Sequence, residues 1–294
     1  MDIFGIPLPA LLGQVLIGLI NGSFYALLSL GLAIIFGMLR VINFAHGAQY
    51  MFGAFVAWLL ANKLGLGYWW ALVLAPLAVG AIGIVVERTM LSRLYRVDHL
   101  YSLMFTFGLG LVVQGVFLGE FGSAGQPYAI PEQLAGGRNL GFMFLPHYRV
   151  WVIAASVVVC ASAWFVIERT RLGGYLRAAT ENPKMVQAFG INVPRMLTLT
   201  YGAAVAIAAL AGVMAAPIYQ VGPLMGTELI IVVFAVVVIG GMGSIAGSIL
   251  AGFALGLLEG LTKVFYPQAA SVVVFVMMAL VIMIRPNGLF GAKQ

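Results

Sequence analysis

His46, His99 and His147, the lone Cys160 and nine carboxylates are the side chains of this chain best suited to metal binding or acid–base work. The three histidines lack partner spacing for a metal, and no paired-cysteine motif, nucleophile elbow or catalytic carboxylate constellation is visible. No glycine-rich loop ends in Gly-Lys-Ser/Thr, so the chain cannot energise anything with ATP by itself. What remains is hydrogen-bonding chemistry. Asn21, Ser23, Asn43, His46, Gln49, Thr106 and Gln114 are polar residues in or beside long apolar runs, where an unpaired amide is costly. They either line a path for a polar solute or tie helices together. Gly240 and Gly241 join the pathway candidates, because a chain break or a close backbone approach there needs glycine.

A second set of residues points to recognition of another protein. The stretch 175–195, YLRAATENPKMVQAFGINVPR, is a sizeable polar insert between the apolar runs 150–167 and 196–216. Asn182 can cap a helix, Pro183 suits its first position, and Gly190 can close it in the left-handed conformation. Between those caps Met185, Val186, Ala188 and Phe189 gather on one face, while Lys184 and Gln187 point elsewhere. A short amphipathic helix between two membrane spans suits docking to a partner.

The elements that must position these residues follow from composition. With 294 residues, 63% hydrophobic and 8% charged, and a mean hydropathy of +1.07, the chain reads as an all-α, polytopic membrane protein. Membrane-competent runs fall near 10–36, 48–61, 69–86, 100–118, 150–167, 196–216, 229–239, 245–260 and 269–284, giving about 8–9 segments. The whole of 1–294 is one transmembrane domain, with an external loop at 119–149 and a cytoplasmic segment at 173–195. The run 229–239 covers only about 17 Å as helix, too short to cross alone. Gly37-Met38 and Gly241-Met242 each follow an apolar run, so 37–47 and 240–244 are either discontinuous helices near a transport pathway or tight loops. Cys160 sits in an apolar run as a small core residue. The net charge of +6 is spread over membrane-flanking loops and is no nucleic-acid signature.

Ser248, Gly252, Gly256 and Gly260 put four small residues on one helix face, and AAVAIAALAG at 203–212 is nearly as small. Such faces mark helix–helix contacts, commonly within one chain and otherwise with a second subunit. Glu228 stands at a helix start that favours a carboxylate, and Glu259 lies one turn before Lys263 as an ion pair. No proton relay is evident, which disfavours an ion-coupled engine.

Three stretches resemble the shorter, LivH-type permease of branched-chain amino acid importers of the ATP-binding-cassette class: INGSFYALLSLGLAIIFGMLRVINFAHG at 20–47, VVIGGMGSIAGSILAGFALGLLE at 237–259 and MIRPNGLFG at 283–291. ENPKMVQAFGIN at 181–192 resembles the family's coupling segment. The resemblance implies that Glu181, Asn182, Pro183, Lys184, Met185, Val186, Phe189, Gly190, Ile191 and Asn192 couple the permease to ATPases. It implies a LivH/LivM-like fold and a translocation pathway for branched-chain amino acids or a related small polar solute. It also implies a second permease subunit (LivM-type or a second copy), two cytoplasmic ATPases and a periplasmic or extracellular solute-binding protein. This chain would then be a transporter subunit rather than an enzyme, and would hold no cofactor, ATP and magnesium being bound by the ATPases. The chain departs from relatives at Ala48-Gln49, where an acidic residue often follows the His-Gly pair; related permeases serve urea, short amides and organic acids. The alternative reading is a passive channel or facilitator for a small neutral solute such as urea or an amide, which would have no need of a capped helix between spans. An intramembrane enzyme stands third, without a catalytic constellation to support it.

Segments 87–99 and 168–195 and the tail hold ten of the fifteen basic residues, Arg96 and Lys293 among them. By the positive-inside rule they face the cytoplasm of a bacterial inner membrane, with the N-terminus outside and the C-terminus cytoplasmic. Single cysteines placed at Arg93 and Lys184 should therefore react with an impermeant maleimide only in inverted vesicles, and one at Gln133 in intact cells. Labelling at Lys184 from outside would reverse the orientation and remove the docking argument.

Overall fold

A backbone in lipid must satisfy its own N–H and C=O groups, and each apolar run accordingly forms a helix. The computed structural model describes residues 2–3, 6–95, 97–141 and 143–291; Arg96 and Lys293 lie outside the described residues. In chain order the helices are α1 (Leu8–Leu39), α2 (His46–Leu64) and α3 (Tyr68–Val86), which continues through a π-helical turn (Glu87–Leu91) into the single turn α4 (Ser92–Leu94). They are followed by α5 (His99–Phe121), α6 (His147–Arg169), α7 (Arg171–Glu181), α8 (Pro183–Ala188) and α9 (Val193–Tyr219). Last come α10 (Met225–Gly240), α11 (Ile245–Phe265) and α12 (Val273–Ile284). Six spans, Leu8–Leu39, Tyr68–Leu94, Leu100–Phe121, His147–Arg169, Val193–Tyr219 and Ile245–Phe265, are long and apolar enough to cross a membrane. This is a multi-pass membrane protein. α10 and α12, with 16 and 12 residues, fall short of the roughly 20 that a full crossing needs.

Two small antiparallel hairpins stand outside the helices: β1 (Asp2–Ile3) with β2 (Ile6–Pro7), and β3 (Gly137–Asn139) with β4 (Phe144–Pro146). The second folds back the α5–α6 link, for which the sequence reading foresaw only a loop. Gln126 of that link exchanges two backbone hydrogen bonds with Val221, at 2.7 and 2.9 Å, so the link is tied to the α9–α10 connection.

The small-residue face of α11 packs within the chain, against α1. A Cβ on Gly256 would lie 2.3 Å from Gly22 Cα, and one on Gly252 would lie 2.6 Å from Ala26 N. Further along, the Ser29 hydroxyl donates to the Ser248 carbonyl at 3.1 Å. The small run of α9 serves α2 in the same way: a Cβ on Gly212 would meet the Tyr50 carbonyl oxygen at 2.0 Å. These backbones approach more closely than any larger residue allows.

The two expected breaks differ. α1 runs on through Gly37 and Met38, and Gly37 is a contact point: a Cβ there would lie 2.9 Å from Gly243 Cα. The helix ends two residues later, where Arg40 takes the left-handed conformation (φ 55°). Residues 40–45 then run back beside α1. His46, the first residue of α2, lies 3.1 Å through Nε2 from the carbonyl of Leu28, eleven residues before the end of α1. At 1.5 Å per residue the chain has returned about 16 Å into the bundle. By contrast, 240–244 is a tight turn, with Gly241 and Gly243 at φ 102° and 89° and Ser244 capping α11. The terminal segment Arg285–Gly291 folds onto this turn. Its Leu289 and Phe290 N–H groups donate to the carbonyls of Ile239 and Gly240, at 2.9 and 3.2 Å, which the end of α10 would otherwise leave unsatisfied.

Gly256→Val should lower the melting temperature of the detergent-solubilised protein sharply, by about 1–3 kcal/mol or more of lost stability, because Gly22 backbone leaves its side chain no space. Gly108→Ala, with open space around the added Cβ, should leave melting unchanged or slightly raised. Equal melting of the two variants would refute the close-contact reading of α11.

Candidate functional site

The return segment gathers four of the polar residues singled out in the sequence. Asn43 and His46 are fully buried, and Gln49 lies one turn into α2. The Asn43 amide donates to Gln49 Oε1 (3.2 Å) and to the Tyr201 hydroxyl (3.3 Å); Gln49 Nε2 donates to the same hydroxyl (3.1 Å). His46 Nε2 faces the Leu28 carbonyl, which can only accept, so that nitrogen carries a proton; Nδ1 lies 3.2 Å from Gln49 Oε1. Thr106 of α5 holds the backbone of the segment: its hydroxyl donates to the Ile42 carbonyl (3.0 Å) and accepts from Phe44 N–H (3.1 Å). A non-helical stretch inside a bundle survives only with such partners. Asn43 Oδ1 is buried and has no partner among the described residues.

The other pathway candidates lie elsewhere. Ser23 donates to the Leu19 carbonyl of its own helix at 2.8 Å. Asn21 accepts from the Tyr219 hydroxyl at 2.7 Å, and Gln114 accepts from Thr227 at 2.8 Å beside a cavity of about 160 Å³. Gly240 and Gly241 are enclosed by Gly247 and by Gly288 and Gly291, so they serve backbone packing. Tyr201 was not singled out from the sequence, since a tyrosine in an apolar run reads as core; its place directly after the pair Thr198 and Thr200 was the available signal.

Glu87 was missed too. It is buried, with Oε1 accepting from the Tyr95 hydroxyl at 2.7 Å and Oε2 without a partner among the described residues. It borders a cavity of about 1000 Å³ that Arg88, Gln187 and Arg195 also line, next to the 173–195 segment.

That segment forms two helices. α7, with Gly173, Leu176 and Ala179 buried, precedes the expected short one and was not foreseen. α8 has the expected caps: Asn182 Oδ1 accepts from Met185 N–H at 3.0 Å, Pro183 takes the first turn, and Gly190 has φ 83°. Asn192 caps α9 by accepting from Arg195 N–H at 3.0 Å. The expected single apolar face is divided. Val186 is buried against Ala179 and Val193 of this chain, with Ile191 packed beside them. Met185 and Phe189 point outward, 58% and 77% exposed, as are Ala188, Glu181 and Lys184. Six residues span under two turns, so one stripe cannot both seat the helix on its own chain and cover it.

Comparison with known proteins agrees with this architecture. Residues 14–284 match the family model for the permease component of branched-chain amino acid transport systems. The chain is 31% identical to the high-affinity branched-chain amino acid transport system permease protein BraD of Pseudomonas aeruginosa, over 96% of both chains. It is 30% identical to LivH of Escherichia coli, again over 96% of both, and 27% identical to LivM of the same organism over 90% of this chain and 67% of that one. The chain belongs to the branched-chain amino acid transport permease family.

Thr106→Val removes the hydroxyl while keeping the side-chain shape, leaving Phe44 N–H without its partner. It should cost about 1–3 kcal/mol, seen as reduced thermal stability, whereas Thr180→Val on exposed α7 should cost under about 0.5 kcal/mol. Similar melting for both variants would show that the return segment does not depend on Thr106.

Proposed function

We propose that this chain is one of two membrane subunits of an ATP-driven importer in a bacterial inner membrane, moving branched-chain amino acids or a closely related small polar solute. A second permease subunit completes the pathway, an external binding protein delivers the solute, and two cytoplasmic ATPases supply the energy. The observation that carries this reading is α8, a capped helix fixed to its own chain through Val186 that leaves Phe189 and Met185 bare. A helix of six residues has no stability alone, and its exposed phenylalanine fits a groove on a partner. ATP binding that draws the ATPases together would move α8, and with it α9, between two arrangements. A passive channel would have no use for this helix.

Burying Phe189 is worth on the order of 2–3 kcal/mol, a factor of tens to about a hundred in association. Phe189→Ala should therefore reduce co-purification of the ATPases, or uncouple ATP hydrolysis from uptake, with the transported solute unchanged. Val186→Asp is a different test, because it strikes the chain's own cluster and should first destabilise the segment itself. Full solute-stimulated ATPase activity and full uptake in Phe189→Ala and Met185→Ala together would mean that α8 is not the docking element.

A further inference from the structure

The return segment is filled by its own side chains, but a second polar site is open. A cavity of about 390 Å³, within the size range of small-molecule sites, lies between α1, the start of α2 and the α9–α10 connection. Tyr50 lines it. That side chain is completely buried, yet its hydroxyl has no partner among the described residues. An orphan hydroxyl of this kind costs about 1–3 kcal/mol unless something in the cavity pairs with it.

Of the other polar groups in the lining, the tyrosine hydroxyls are already committed, while Ser123 and Gln220 are solvent-exposed. The Tyr219 hydroxyl donates to Asn21, and the Tyr25 hydroxyl donates to Glu259 Oε2 at 2.6 Å. Glu259 is balanced in turn by Lys263, 2.5 Å from its Oε1. Glu228, in the first turn of α10, lines the same cavity and makes no ion pair among the described residues. Glu228 is thus the one carboxylate of the lining, solvent-exposed and free to take a cationic group. Phe24 and Leu229 give the cavity an apolar wall, and the mouth opens beside the exposed Tyr219 and Glu228.

We propose that this chamber binds a small zwitterionic amino acid with an apolar side chain, its ammonium on Glu228, its carboxylate accepting from the Tyr50 hydroxyl, and its side chain against Phe24 and Leu229. The assignment rests on the permease reading and adds to it a solute site within the membrane subunit. A neutral amide leaves Glu228 without a counter-charge. A bare divalent cation finds one free carboxylate, where calcium takes six to eight oxygens. The zwitterion answers the orphan Tyr50 hydroxyl and the unpaired Glu228 carboxylate at once.

The test uses the assembled transporter in detergent, without the binding protein, and equilibrium dialysis of labelled L-leucine. Competitors are leucinamide, which keeps the ammonium, and 4-methylpentanoate, which keeps only the carboxylate. The wild-type complex should bind leucine saturably, with leucinamide competing and 4-methylpentanoate competing far less. Glu228→Gln should weaken leucine binding about tenfold or more and erase the preference for leucinamide, an effect of about 1.4 kcal/mol. Tyr50→Phe should weaken leucine severalfold and leave the affinity for 3-methylbutylamine, which has the ammonium and no oxygen acceptor, nearly unchanged, a split that a general loss of folding would not produce. Absence of saturable binding up to roughly 10 mM, or wild-type binding in both variants, overturns the site. ATP-driven leucine uptake in proteoliposomes with binding protein is measured alongside. Uptake without binding removes the chamber and leaves the importer; binding through Glu228 without uptake does the reverse.

Discussion

The contact on which the rest of the bundle depends is backbone against backbone, glycine to glycine, between α1 and α11. Lipid gives no hydrophobic reward for bringing two helices together, so close van der Waals approach has to supply the attraction. Gly18 and Gly22 of α1 meet Gly256 of α11, and Gly37 meets Gly243 at the turn before α11. These contacts hold α1 over some nineteen residues, from Gly18 to Gly37. Only a helix held that firmly can offer a fixed carbonyl, that of Leu28, to an imidazole arriving from another segment.

The return segment uses that fixed frame. Residues 40–45 are non-helical, with Val41, Asn43 and Ala45 buried, a placement tolerated only where protein groups replace the missing helical bonds. Three helices share the task. α1 accepts from His46, α5 reaches in with Thr106, and α9 supplies the Tyr201 hydroxyl to two amides. The polar residues of this stretch are thus largely satisfied by one another, which favours a structural role for the cluster. Within it only Asn43 Oδ1 lacks a partner among the described residues, and further unsatisfied groups lie on either side, at Tyr50 and Glu87.

Much of this was legible in the sequence, for physical reasons that differ by element. Nine apolar runs gave nine helices because lipid permits little else, and the caps of α8 were readable because Asn, Pro and Gly each have a steric or hydrogen-bonding reason to sit there. The stripe of Ser248, Gly252, Gly256 and Gly260 told of a close contact but not of its partner, since α1 carries its matching Gly18, Gly22 and Ala26 inside a longer apolar run. The break near Gly37 was misplaced: glycine there serves an approach between helices, and the chain turns at Arg40 instead. Tyr50, Tyr201 and Glu87 escaped notice because burial of a hydroxyl or carboxylate is a tertiary fact, invisible in composition. The division of α8 into an anchored Val186 and a bare Phe189 is of the same kind.

α9 is the element through which these parts meet. At its start Val193 packs on Val186 of α8; two turns on, Tyr201 holds Asn43 and Gln49; beyond that, Gly212 touches the Tyr50 carbonyl; at the end, Tyr219 holds Asn21. From Val193 to Tyr219 the helix covers about 39 Å. The joint to α8 is only residues 189–192, and the two helices it links each start on an asparagine cap, Asn182 and Asn192, so little displacement can be lost there. A packed helix does not stretch; it shifts as a body, and interfaces between packed elements switch rather than deform smoothly. The contacts most sensitive to such a shift are the hydrogen bonds of Tyr201 and Tyr219, which fail within an ångström, while the apolar contacts of α9 tolerate sliding. Any difference in solute affinity between two arrangements of this chain therefore has to be sought where those hydroxyls point, at the foot of α2 and at the mouth of the chamber beside Asn21.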